Sequence, residues 1–171
     1  MESRAKLFGH AIHPILIVFP LGLLATGVVF DIIYLITNDP TFAIVSYWMI
    51  TAGLIGGILA APFGWWDWAH IPSTTRARTI GLIHGSINTL VLIAFFISWW
   101  MRYSFPARPE ISASVFSFIG AALALVGGWL GGELVERLGV GVDDGANLDA
   151  PNSLTTSSTQ PVEIIQKPAR Q

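Results

Sequence analysis

The chain has 171 residues, of which 53% are hydrophobic and 12% are charged. Soluble domains usually carry about 25% charged residues, so this composition excludes an ordinary water-soluble domain. The chain contains no cysteine, which excludes disulfides, thiolate nucleophiles and Cys-ligated metal sites, and its net charge of −2, without a basic stripe, argues against nucleic-acid binding.

Four long stretches of the chain contain no Asp, Glu, Lys or Arg: residues 7–30, 40–66, 79–101 and 111–132. Each is longer than the roughly 20 residues that a helix needs to cross the hydrocarbon core of a bilayer. The stretches are continuously apolar rather than alternating, which favours helices over barrel strands. We therefore predict an all-α bundle of four transmembrane helices, with spans at about 12–36, 42–66, 79–101 and 111–134, in a membrane domain of residues 1–142.

Lys and Arg are distributed unequally between the two ends of the predicted bundle. The end that holds both termini carries seven of them, whereas the other end carries only Arg102 and Arg108. Without the C-terminal tail the difference is still five against two. By the positive-inside rule we expect both termini in the cytoplasm. Residues 143–171 are polar and aperiodic, so we expect a disordered cytoplasmic tail there.

Small residues recur every four positions on three of the predicted helices. They are Gly53 with Gly57, then Gly56, Ala60 and Gly64, then Gly81 with Gly85, and finally Gly120, Ala124, Gly128 and Gly132. This spacing lets helices approach closely in lipid. It predicts a compact bundle without a wide pore, and glycine-rich faces that are suited to oligomer contacts.

A weak internal repeat is a further expectation. Helix one opens near His13 and helix three near His84, while helices two and four end in Gly-Trp sequences followed by Asp67 and Glu133. Helices one and three run in the same direction, so such a repeat would be parallel, with its axis along the membrane normal. Pro20, inside helix one, is expected to bend that helix.

Ionisable side chains gather at the cytoplasmic end of the predicted bundle. His13 and His84 come from different helices, and Asn88 follows His84 by one turn. Two imidazoles on facing helices suit axial ligation of haem iron, as in b-type cytochromes. The pattern therefore predicts a cofactor site at these three residues, with b-type haem as one candidate.

A metal ion is the alternative ligand at this end. His10, Asp67, His70 and Glu133 are expected at a similar depth and would offer nitrogen and oxygen ligands that suit zinc, iron or manganese. No HExxH, CxxCH or Glu-x-x-His pattern supports either choice. Asp31 is a separate buried polar residue, about 27 Å along the helix from His13, and we expect it to form an interhelical hydrogen bond or to cap a loop N–H.

Several segments together resemble a known bacterial family. They are GHAIHPILIVFPLGL at 9–23, GWWDW at 64–68, IGLIHGSIN at 80–88 and GGWLGGELVERLGVGV at 127–142. They are similar to the membrane domain of unknown function DUF2231 over about residues 7–142. The resemblance implies four spans in a bacterial inner membrane and a redox partner such as a Rieske-type iron–sulfur protein.

The family pattern maps onto His13, Pro14, Asp31, Asp67, His84 and Glu133 of this chain. One departure is Leu138, where related sequences tend to have a histidine. This departure weakens the expectation of a multi-histidine metal shell and leaves the His13–His84 pair unaffected.

Three functions are compatible with these features. The first is a redox or cofactor-binding subunit that uses His13 and His84. The second is a structural or assembly subunit, in which the histidines and acids hold the helices together. The third, a small-ion or proton transporter, is disfavoured by the compact packing. No nucleophile–base arrangement is visible, so we do not expect catalysis.

Overall fold

The computed structural model describes residues 1–154. A short antiparallel pair, β1 (Lys6–Leu7) with β2 (His10–Ala11), precedes the helices. The helices are α1 (Ile12–Leu16), α2 (Val18–Thr37), α3 (Pro40–Ala69), α4 (Arg76–Arg102) and α5 (Ile111–Gly132), and a π-helical segment, Glu133–Arg137, continues α5.

Four segments of the structure are long and apolar enough to cross a membrane. They are Ile12–Thr37, Pro40–Ala69, Arg76–Arg102 and Ile111–Arg137. The predicted four-helix fold is therefore confirmed, and the predicted spans fall within these segments. The greater part of the predicted tail, residues 155–171, lies outside the described residues.

Local sequence explains where the helices start and break. Asp39 caps α3, since its carboxylate accepts a hydrogen bond from Thr41 N at 2.9 Å, and Pro40 occupies the first helical position. The hydroxyl of Thr75 caps α4 in the same way. Pro20 has no N–H, so the carbonyl of Leu16 loses its helical partner, and the first span is interrupted between α1 and α2.

The four spans form two helical hairpins, which we call the N-hairpin (residues 12–69) and the C-hairpin (residues 76–137). α2 packs against α3 and α5, and α4 packs against α3 and α5, so α2 and α4 lie diagonally across the bundle axis. The core between the hairpins is apolar, and its buried members are Leu24, Ile50, Leu54, Val91 and Phe95. We call the bundle end with residues 1–11 and 138–154 the terminal end, and the opposite end the distal end.

The N-terminal segment is fastened across the terminal end. The Met1 ammonium group donates to Gly139 O at 3.0 Å, and Lys6 pairs with Glu2 at 2.6 Å and with Asp143 at 3.2 Å. The hydrogen bond from Lys6 to Glu2 raises the pKa of the lysine, while the Gly145 N–H, followed by Lys6, lowers the pKa of Asp143. The predicted tail thus begins with residues that contact the N-terminal segment.

The two hairpins repeat one another in their internal contacts. His13 bonds to Ala60 O in the N-hairpin, and His84 bonds to Gly127 O in the C-hairpin. A Cβ added at Gly53 would meet Leu24, and one added at Gly120 would meet Phe95, 71 positions after Leu24. The parallel repeat expected from the sequence is therefore present in the packing.

Burial follows the same register along the first helix of each hairpin. The buried positions of α2 are Pro20, Leu24, Gly27 and Asp31, and the positions 71 residues later, Val91, Phe95, Ser98 and Arg102, are buried in α4. Equivalent positions of α3 and α5 are 67 residues apart instead of 71, because the C-hairpin has four fewer residues between equivalent positions on the two sides of its turn. Asp67 consequently corresponds to Leu134, and the expected match between Asp67 and Glu133 was wrong by one residue.

Candidate functional site

His13 lies in the first turn of α1 and points at α3. Its Nδ1 is 3.1 Å from Ala60 O, and its ring packs against Gly64, where an added Cβ would lie 2.8 Å from Cε1. A carbonyl oxygen can only accept a hydrogen bond, so Nδ1 carries the ring proton. In the neutral ring the lone pair is then on Nε2, for which no hydrogen-bond partner is found among residues 1–154.

His84 repeats this arrangement in the C-hairpin. Its Nδ1 is 2.9 Å from Gly127 O, and a Cβ added at Gly131 would lie 3.1 Å from its Cε1. Asn88 Nδ2 donates to His84 O at 2.9 Å and lies 3.3 and 3.4 Å from the two ring nitrogens. Because the amide is almost equally distant from both nitrogens, it does not lie along the lone pair of Nε2.

Both imidazoles lie toward the terminal end of the bundle. They come from the diagonal segments α1–α2 and α4 and occupy equivalent positions in the repeat. Both rings are half-buried. A backbone carbonyl bound to Nδ1 is the usual outer-shell partner of a metal-ligating histidine, because it fixes the tautomer that offers Nε2. Each ring therefore offers the lone pair of Nε2 as the atom that a ligand would meet.

Asp67 is engaged with the N-terminal segment rather than with the histidines. Its Oδ1 accepts hydrogen bonds from Arg4 N at 2.8 Å and Ala5 N at 3.3 Å, and its Oδ2 accepts one from Ser3 Oγ at 2.7 Å. All of these partners lie at the start of the chain. Asp67 thus holds the segment that crosses the terminal end.

The other residues expected at a metal site also bind partners outside such a site. Glu133 pairs with Arg76 at 2.7 Å, the exposed His10 contacts Phe8 O at 3.2 Å, and the exposed His70 contacts Trp66 O at 2.8 Å. Within the described part of the chain, no three His, Cys, Asp or Glu side chains are grouped to hold a metal ion. The structure does not bring His10, Asp67, His70 and Glu133 together.

A second polar cluster lies near the distal end, at Asp31. Arg102 donates to Asp31 Oδ1 at 2.7 Å and to Oδ2 at 3.1 Å, and both side chains are 0% exposed. Ser46 and Ser117 also donate to the carboxylate. Asp31 therefore forms the interhelical hydrogen bonds that were expected, but its main partner is Arg102, which was expected in a loop. Counting Arg102 as a surface charge of the distal end was wrong, because it is the last residue of α4 and points into the bundle.

The histidine pair and the Asp31–Arg102 cluster are separate sites. The core of Leu24, Ile50, Leu54, Val91 and Phe95 occupies the bundle between them. These side chains carry no group that accepts or donates a proton. The polar groups thus form two layers at different depths, with apolar packing between.

A protein-family model described as "Predicted membrane protein (DUF2231)" matches residues 9–144. The chain belongs to the DUF2231 family. The match covers both hairpins of this DUF2231 protein and both polar layers, and it confirms the resemblance seen in the sequence. No curated protein and no solved structure matches the chain.

Proposed function

We propose that this DUF2231 protein is a non-catalytic redox subunit of the membrane, in which His13 and His84 bind a b-type haem. The observation that supports the proposal is the shared state of the two imidazoles. Each gives its Nδ1–H to a backbone carbonyl of the neighbouring helix, at 3.1 and 2.9 Å, and each is left with Nε2 as its ligating atom.

The residues around the pair have defined roles in this proposal. Ala60 O and Gly127 O orient the rings, and the glycines at 64 and 131 leave the space that the rings themselves occupy. Asn88 holds the carbonyl of His84 and lines the site. A bound haem would supply one-electron transfer, and the protein would set its potential through the imidazole ligands and the apolar core.

The orientation of the protein in the membrane and the identity of its electron-transfer partner are part of the same proposal. Arg102 lies buried within α4 rather than in a loop, so among the described residues Arg108 is the remaining loop cation of the distal end. This strengthens the case for a cytoplasmic terminal end in a bacterial inner membrane. The electron partner would then be a redox protein such as a Rieske-type iron–sulfur protein, as the family resemblance implies.

The test is the absorption spectrum of the purified protein, compared between His→Ala variants at the paired and the exposed histidines. We expect reduced-minus-oxidised spectra of purified protein to show a b-type α band that is lost in His13→Ala and in His84→Ala. The band should persist in His10→Ala and His70→Ala, since those rings are exposed and lie outside the pair. Protein produced with ample haem and lacking any Soret absorbance would refute the proposal.

A structural role for the histidines is the second candidate, and one observation favours it. Both rings pack tightly on a glycine and bond across their own hairpin, as side chains that hold helices together do. This candidate predicts that His84→Ala lowers the melting temperature of a protein that has no haem spectrum. A spectrum that is lost in His84→Ala, with the melting temperature of the cofactor-free protein unchanged, would exclude it.

A further inference from the structure

In the Asp31–Arg102 cluster every N–H of the arginine and both oxygens of the aspartate have partners, while the adjacent Ser114 hydroxyl is the one buried side-chain polar atom without a partner among the described residues. All five N–H groups of Arg102 are used: two on Asp31, two on the hydroxyls of Ser46 and Ser98, and one on Ser98 O. The two oxygens of Asp31 accept four bonds, including one from Ser117. A cluster with no free donor on the arginine is built to join helices rather than to bind a ligand.

The cluster joins all four spans across the interface between the hairpins. Asp31 comes from α2 and Ser46 from α3, while Ser98 and Arg102 come from α4 and Ser117 from α5. Asp31 follows His13 by 18 residues, and Arg102 follows His84 by the same 18. The opposite charges therefore occupy the same position of the repeat, one in each hairpin.

We propose that this interface is an interaction surface specified by charge, on which each hairpin accepts a hairpin of opposite charge at this position and rejects a copy of itself. Two N-hairpins paired in the same way would bury two carboxylates against each other, and two C-hairpins would bury two guanidinium groups. Buried like charges without a counter-ion are strongly unfavourable. The pair thus directs each N-hairpin to a C-hairpin, although their apolar faces are alike.

This proposal predicts that the two charges can be exchanged. In the double variant Asp31→Arg/Arg102→Asp, the new arginine would stand at position 31, which is equivalent to position 102 in the repeat. Its Nε would find the carbonyl of Gly27, as Arg102 Nε finds that of Ser98. Position 27 has no hydroxyl to replace that of Ser98. We therefore expect substantial but incomplete recovery.

The experiment compares full-length variants by thermal unfolding and size-exclusion chromatography in detergent. Asp31→Arg and Arg102→Asp should each lose most of the folded, monodisperse protein, and the double variant should regain at least half of the lost melting temperature or yield. The control is Asp31→Arg/Arg108→Asp, which makes the same charge changes with an exposed arginine outside the repeat position. A double variant that is no better than this control would overturn the proposal.

A milder exchange tests the equivalence of the hairpins even if the charge variants fail to fold. Leu24 and Phe95 are equivalent, and each packs against a glycine of its own hairpin, Gly53 or Gly120. Leu24→Phe alone should overpack and Phe95→Leu alone should leave a cavity, whereas the double variant conserves the total volume. We expect the double variant to melt above at least one of the single variants. Losses that simply add would contradict the equivalence on which the charge exchange depends.

Discussion

Replacing Asp31 with asparagine removes one charge from the distal cluster and changes little else in shape. Asp31 accepts four hydrogen bonds, two from Arg102 and one each from Ser46 and Ser117. The asparagine NH₂ group cannot accept the two bonds that one carboxylate oxygen accepted, and it faces an N–H of the arginine. Arg102 is also left as a fully buried charge without a counter-ion.

The cost can be worked out from these contacts. A hydrogen bond to a charged group contributes about 1.5–3 kcal/mol and a neutral one about 0.5–1.5 kcal/mol. The two lost bonds both go to a charged carboxylate and together contribute about 3–6 kcal/mol. Breaking a buried ion pair by removing one partner costs about 3–5 kcal/mol, a range that already includes the uncompensated charge, and we use this range. At roughly 2–4 °C per kcal/mol for a chain of this length, Asp31→Asn should lower the melting temperature by roughly 6–20 °C.

Thermal unfolding in detergent, followed by tryptophan fluorescence, measures this loss. Asp149→Asn makes the same chemical change at an exposed acid and should leave the melting temperature unchanged. The apolar double variant Asp31→Leu/Arg102→Met should be much more stable than Asp31→Asn, because it removes both charges together. If Asp31→Asn melts within about 2 °C of the unmodified protein, the carboxylate does not support Arg102 as these contacts require.

Three further predictions concern the rest of the bundle. Gly64→Ala should cost about 1–3 kcal/mol in unfolding free energy by driving a Cβ into the ring of His13, whereas Gly128→Ala, with nothing within 4 Å, should be neutral or slightly stabilising in the same melting assay. Asp67→Ala should release the N-terminal segment, which limited trypsin digestion would detect as faster cleavage near the N-terminus with an almost unchanged melting temperature of the bundle. The hydrogen bond from the Thr41 N–H lowers the pKa of Asp39, so the ionised cap stabilises the start of α3 fully above the ordinary carboxyl pKa and this stabilisation is lost as the pH falls through the lowered pKa. Amide exchange in the first turn of α3 should accelerate in that acid range. It should not do so in Asp39→Ser, whose cap does not ionise.

The spans and the half-buried positions of His13 and His84 could be predicted from the sequence because each leaves a local signal. A charge-free run longer than 20 residues marks a span, and a lone imidazole inside such a run has few partners available. Close packing on a neighbouring helix was expected at Gly64 but not at Gly131, and Gly128 and Gly132, for which it was expected, have nothing within 4 Å. Spans depend on short-range patterns, whereas the face that a glycine-rich helix turns to its neighbour depends on the packing of the whole bundle.

The partner of Asp31 could not be found in this way. Arg102 stands beside Trp100 at the edge of a span, where an interfacial arginine is the ordinary interpretation. The equal spacing from histidine to charge could have identified the partner, since Asp31 follows His13 by 18 residues and Arg102 follows His84 by 18 residues. The acids assigned to a metal site failed for the opposite reason: Asp67 and Glu133 share a depth with the histidines, but partners at the chain start and on Arg76 take up their oxygens.

The separation of the buried ion pair along the chain has a consequence for how the protein is made. Asp31 leaves the ribosome 71 residues before Arg102, which at roughly 5–20 residues per second corresponds to a delay of roughly 4–14 s. During that interval a carboxylate within an apolar segment has no counter-ion, and lipid is a poor solvent for it. We therefore expect the first two spans to stay with the insertion machinery, or shallow in the headgroup region, until the second pair emerges, so that the two hairpins enter the bilayer together.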